Sequence, residues 1–164
     1  MELNREQLLM LNRINNIFLF KLFSIVKLPL AFFTGLKIVH IDEHVSKVST
    51  RLSFITKNPF RSTYFAVLSM AAELSTGLYA LLFITGIQPS VAVIITGLNA
   101  RFLKKATGTT IFTCREGEKL RQAVVQARET GEPAATTVKS IGKNEAGETV
   151  AEFEFTWSFK QRTV

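Results

Sequence analysis

A chain of 164 residues can bury roughly two thirds of its unfolded surface in one core, and its single cysteine, Cys114, excludes an internal disulfide. Twenty Lys and Arg against 13 acids give a net charge of +7, which suits an anionic ligand or surface. The cations are spread along the chain and the aromatics fall at core-like spacing, a pattern that argues against a nucleic-acid reader.

The spacing predicts one N-terminal helix from about Asn4 to Val26, with Leu8, Leu11, Ile14, Ile17 and Phe18 on a wide apolar surface. Pro29 ends it, and Leu30 to Gly35 reads as a linker. Residues 1–30 are expected to pack as a helix over one domain spanning 31–164, with peripheral membrane contact as the alternative role of a basic amphipathic helix. Asn16 to Val39 is apolar enough to be weighed as a membrane span, but Lys21, Lys27, Lys37, Pro29 and Gly35 interrupt it. The apolar run begins too late, and is broken by Lys21, for a secretory leader. A cytoplasmic protein is the expectation.

Lys37 to Ile41 and Val45 to Phe54 alternate as two strands around a turn at Asp42-Glu43. His40 and His44 flank that turn, yet no third ligand is evident, so no metal is expected. Lys57 to Thr63 is a polar turn whose Ser62-Thr63 would cap a long helix running to about Phe83. Gly86, Gln88 and Pro89 stop that helix. Tyr64 to Ile87 is also long enough to span a bilayer, but a buried core helix accommodates the polar residues at its middle more readily. Ser90 to Lys105 reads as a long strand bulged at Gly97, followed by a turn at Thr107-Gly108 and a strand Thr109 to Arg115. Cys114 there is a small apolar strand residue. Glu116 to Thr130 is a charged helix closed by Gly131. Ala134 to Gly142 and Thr149 to Arg162 form a hairpin, the latter placing Phe153, Phe155, Trp157 and Phe159 on one face. Strands sharing one apolar central helix imply an α+β fold in which a curved antiparallel sheet wraps that helix.

Between Arg61 and Arg101 the only charged side chain is Glu73, mid-way along the central helix. A carboxylate in so apolar a stretch needs a partner, a ligand or a proton. Its helical neighbours Ser62, Ala66, Ser69, Met70, Thr76, Gly77 and Ala80 are mostly small, so a second subunit or a slender ligand can approach. Tyr64, Val67, Leu68, Ala71, Leu78, Tyr79 and Leu82 form the opposite face, expected against the sheet. A purely structural helix interface is the competing reading of the small face.

Asn58-Pro59 on the turn, Ser62-Thr63-Tyr64-Phe65-Ala66 opening the helix, and Ala71-Ala72-Glu73 fifteen residues after the asparagine resemble hotdog-fold proteins of the acyl-CoA thioesterase superfamily. With Arg101 to Gly108 before a turn and Gly35 to Ile38 leading into the first strand, the chain is most similar to the branch called domain of unknown function 4442. The resemblance implies a hotdog fold and a homodimer or dimer of dimers with its site between subunits. It implies Glu73 as base or nucleophile, Asn58 at the motif asparagine, and Phe65 and Ala66 N–H groups as the oxyanion hole. The motif's His-Gly-Gly falls on Tyr64-Phe65-Ala66, a departure that narrows the space above those donors. The substrate implied is an acyl-CoA or acyl-carrier thioester, with Arg61, Arg101, Lys104 and Lys105 near its phosphates, Tyr64 and Met70 beside it, and Leu74 and Tyr79 as further tunnel candidates. No cofactor is implied. The alternative is a non-catalytic hotdog that binds an acyl group or serves in assembly.

Overall fold

The computed structural model describes residues 3–162. The described residues form eleven elements: α1 (Arg5–Asn15), α2 (Ile17–Lys27), α3 (Pro29–Phe33), β1 (Lys37–Ile41), β2 (Ser46–Arg51), α4 (Phe65–Ile84), β3 (Val91–Phe102), β4 (Thr109–Cys114), α5 (Gly117–Thr130), β5 (Ala134–Asn144) and β6 (Thr149–Gln161).

The N-terminal helix expected in one piece is two, bent by 97°. Asn16 makes the break: its N–H donates to Arg13 O while its side-chain oxygen accepts from Phe18 and Leu19 N–H at 3.0 and 3.2 Å. One residue therefore ends α1 and caps α2, which is what short amide side chains do better than helix interiors. The segment expected as a linker is helical too. Pro29 opens α3, because its fixed φ and missing N–H suit a first turn as well as they end a preceding helix.

The six strands form one antiparallel sheet in the order β1-β2-β4-β5-β6-β3. Phe153, Phe155, Trp157 and Phe159 on β6 all point into the core, as the alternation predicts. The β3–β6 register slips between Ile95 and Gly97, at the expected bulge. Gly131 closes α5 at φ 74°, in the left-handed conformation that costs a glycine nothing. Two strands are shorter than their alternation. β2 stops at Arg51 because Thr56 turns the chain, accepting from Ser53 N–H and donating to Arg51 O, both at 2.8 Å. Phe54 is left in solvent under Lys57. β3 ends at Phe102, where Leu103 and Lys104 N–H both turn to Val150 O.

α4 lies in the concave face of the sheet against β2, β4, β5 and β6, with α5 beside it and α1 across its C-terminal half. By length and apolarity α4 could cross a membrane, but 67% of its most apolar window is buried in the core. Its side chains toward the sheet, Val67, Leu68, Ala71, Leu78, Tyr79 and Leu82, are buried as expected. Tyr64 is not among them: it is 46% exposed at the helix entrance.

Candidate functional site

The turn before α4 is built on Asn58. Its Oδ1 accepts from Phe60 and Ser62 N–H at 2.9 and 3.1 Å, and its Nδ2 donates to Ser62 Oγ at 3.1 Å. That clasp holds Arg61 at φ 60°, a left-handed conformation unfavourable for a residue with a Cβ. Ser62 and Thr63, expected to cap α4, do something else: Ser62 closes on Asn58, and Thr63 donates from both N–H and hydroxyl to Ala106 O at 2.8 and 3.2 Å. Tyr64 N–H is taken by Thr56 O at 2.7 Å, and α4 has no side-chain cap. The N–H groups of Phe65 and Ala66 consequently have no acceptor among the described residues. Two unpaired donors at the positive end of a long helix are suited to an anionic oxygen.

The Thr63–Ala106 clasp brings the 101–106 segment to this end of the helix, and a ring chain runs Tyr64, Phe65, Phe102 with centroids 4.9 and 6.3 Å apart. Of the four cations expected beside a ligand, two are engaged. Arg101 lies 3.7 Å from Glu152, and Lys104 pairs with Glu148. Arg61 and Lys105 are exposed and have no acidic partner among the described residues.

Glu73 lies elsewhere. Helix geometry puts it about 12 Å along the axis from the Phe65 amide, eight residues away. Its Oε1 folds toward the C-terminal side, against Gly77: a Cβ at residue 77 would stand 2.9 Å from that oxygen and 3.2 Å from the Trp157 ring. Trp157 Nε1 donates to Thr76 Oγ1 at 3.1 Å, which fixes the ring beside Gly77. No hydrogen bond or ion pair reaches the Glu73 carboxylate among the described residues, and burial pushes its pKa above the ordinary glutamate value. The carboxylate borders a cavity of about 310 Å³ that Met70 and Leu74 share with Lys27, Pro29, Ala31 and Leu36.

Two groups of site residues thus emerge. Asn58, Arg61, Tyr64, Phe65 and Ala66 gather with Phe102 and the 103–106 segment carrying Lys104 and Lys105 at the helix entrance, whereas Arg101, opposite Glu152 in the β3–β6 register, is on the outward face of the sheet, and Glu73 and Met70 face the cavity farther along. Leu74 is on that cavity and Tyr79 is not: Tyr79 is fully buried, stacked on Phe83 and tight against Gly117. The cavity wall from Lys27 to Leu36 was not legible from the chain, since nothing in that segment signals that it folds back over residue 73. Cys114 is buried, and burial raises its thiol to about 11, so it is inert at neutral pH. His40 bonds Asp42 at 2.9 Å on the surface, and no cluster of three metal-ligating side chains occurs among the described residues.

Residues 18–159 match the family described as domain of unknown function DUF4442. The chain belongs to that family. No curated protein matches it at a significant level. Among solved structures, this DUF4442 chain resembles a Pseudomonas aeruginosa protein of unknown function named a probable thioesterase, at 21% identity and TM-score 0.74 over 99% of this chain and 100% of that one. A Chlorobaculum tepidum protein of unknown function is similar at 17% identity and TM-score 0.74, covering 87% and 92%. A Haemophilus influenzae thioesterase is similar at 13% and 0.62, covering 85% and 88%. At these identities the likeness establishes the hotdog fold, with the sheet wrapped around α4, and leaves the chemistry to the site.

Proposed function

We propose that this DUF4442 protein hydrolyses an acyl-CoA or acyl-carrier thioester, with Glu73 as general base. The observation that carries the reading is a carboxylate that no hydrogen bond or ion pair reaches among the described residues, raised in pKa by burial, on the wall of a cavity that is apolar apart from Lys27. An acid so placed takes a proton from water more readily than a solvated carboxylate does.

About 12 Å of helix separates Glu73 from the Phe65 and Ala66 amides, too far for both to reach one thioester carbon within a subunit. The site is therefore completed in a homodimer, with Glu73 of one copy facing the amides of the other. Glu73 accepts a proton as water attacks the carbonyl carbon, and the oxyanion is held by the two N–H groups. Collapse breaks the C–S bond, and the proton held by Glu73 leaves with the thiolate. Arg61 and Lys105, the cations not engaged by acids, serve the phosphates of the carrier, and Met70 and Leu74 receive the acyl group.

A specific observation favours a second reading. The Tyr64 and Phe65 rings stand half-exposed where the motif has His-Gly-Gly, and they narrow the approach to the amides. A binder that holds an acyl group without turnover fits that crowding. The test is thiol release from a panel of acyl-CoA thioesters, acetyl to palmitoyl and aromatic, by wild type and Glu73→Gln, with calorimetric binding of each thioester alongside. Turnover abolished in the variant supports hydrolysis. Tight binding with no turnover by wild type supports the binder, and full activity of Glu73→Gln removes Glu73 from the chemistry.

A further inference from the structure

α2 packs inward through two residues only, Phe20 and Ser24, one turn apart. The rest of its surface faces out. Phe18 is 84% exposed, Val26 69% and Leu22 63%, and the patch continues onto α3 with Phe33 at 65% and Leu30 at 62%. Isolated apolar residues on a surface are ordinary, whereas a contiguous run of large ones marks an interaction site. The patch also continues inward, into a groove of about 790 Å³ lined by Leu9, Leu19, Leu22, Phe23 and Val26 together with Leu81 of α4.

The charge on α2 and α3 is of one sign, and Glu6 of α1 is the one acid lining the groove. From Gln7 to Ile41 the chain contains no Asp or Glu, while Arg13, Lys21, Lys27 and Lys37 are all exposed. Lys21 sits on the outward stripe itself, between Phe18 and Leu22. A second copy seated by a two-fold axis through the outward stripe of α2 would set Lys21 near its own equivalent, with no acid on α2 or α3 to pair either and Glu6 of α1 the one acid lining the groove. An anionic lipid surface meets both requirements at once: headgroup phosphates take the ammonium groups and the acyl boundary takes the rings.

We infer that α2 and α3 form an interfacial anchor that docks the protein on an anionic lipid bilayer, with Phe18, Leu22 and Val26 entering the acyl boundary and Lys21 at the headgroups. The inference holds whether or not Glu73 turns over a thioester.

The full chain is sedimented with vesicles of phosphatidylcholine alone and of phosphatidylcholine mixed with phosphatidylglycerol. Binding to the mixed vesicles that weakens with added salt is expected, with little on the neutral ones. Lys21→Gln should weaken it by about five-fold, and Phe18→Ser by about ten-fold or more. Both side chains are exposed, so each variant should melt with the wild type and keep its solution mass. Absence of wild-type binding to the anionic vesicles overturns the inference, as does equal binding to the neutral ones. A change of mass by light scattering in Phe18→Ser also overturns it, because the face would then be covered by a second copy.

Discussion

Replacing Glu73 by glutamine keeps the volume of the side chain and removes its charge. The wild-type carboxylate lies on a cavity wall against Gly77, and among the described residues no hydrogen bond or ion pair offsets its lost hydration. A buried polar group left unsatisfied costs about 1–3 kcal/mol, more if charged. Glutamine is left as unpaired as the carboxylate was and Glu73 retains some contact with solvent, so only the excess cost of the charge is relieved, about 1 kcal/mol. For a chain of this size that is a rise in melting temperature of about 2–4 °C for Glu73→Gln near neutral pH. The pH dependence follows from the direction of the pKa shift. An acid whose folded pKa is raised binds more protons folded than unfolded in the window between the two values, so stability falls as pH rises through it. The penalty is complete above the raised folded pKa and relieved once pH drops to the ordinary value of 4.5. Thermal melts of wild type and variant from about pH 8 downward should therefore converge. A variant no more stable than wild type at the alkaline end, or a gap that does not narrow on acidification, would falsify the account of an uncompensated carboxylate.

Gly77→Ala tests the placement of the same group from the other side. The new methyl would meet Glu73 Oε1 at 2.9 Å and Trp157 at 3.2 Å, so the carboxylate swings away while the helix gains up to about 1 kcal/mol of propensity. A stable protein whose Glu73 titrates closer to an ordinary glutamate by carbon-13 NMR is the expected result, and an unchanged titration would count against the close contact of carboxylate and glycine. Asn58→Ala removes the acceptor of two backbone N–H groups and a donor to Ser62. We expect a loss of about 1–2 kcal/mol in urea unfolding, whereas an asparagine serving only a ligand would leave stability unchanged.

Much of the architecture is written in periodicity. Alternation on β6 locates the densest part of the core, a lone glycine in β3 marks its bulge, and an apolar helix among strands announces that a sheet surrounds it. What escapes is decided by hydrogen bonds of single side chains. Asn16, Thr56 and Ser62 each look like ordinary polar residues in the chain, yet they respectively break a helix, end a strand and close a turn. Pro29 is ambiguous for the same kind of reason, since the residue that stops one helix is well suited to begin the next. Glu73 is conspicuous by its isolation, and its small-faced helix follows from counting. The wall opposite it comes from residues some forty positions earlier, and no local pattern encodes that return.

The arrangement of Trp157 has a spectroscopic consequence. It is the only tryptophan in the chain, its indole N–H is committed to Thr76, and its ring lies against the glycine that Glu73 leans on. The protein thus carries a built-in fluorophore at the base of its candidate site, with no competing indole to dilute the signal. Its emission should report the protonation of one carboxyl group and the arrival of a ligand beside it, so occupancy can be followed in the unlabelled protein even where no product is released.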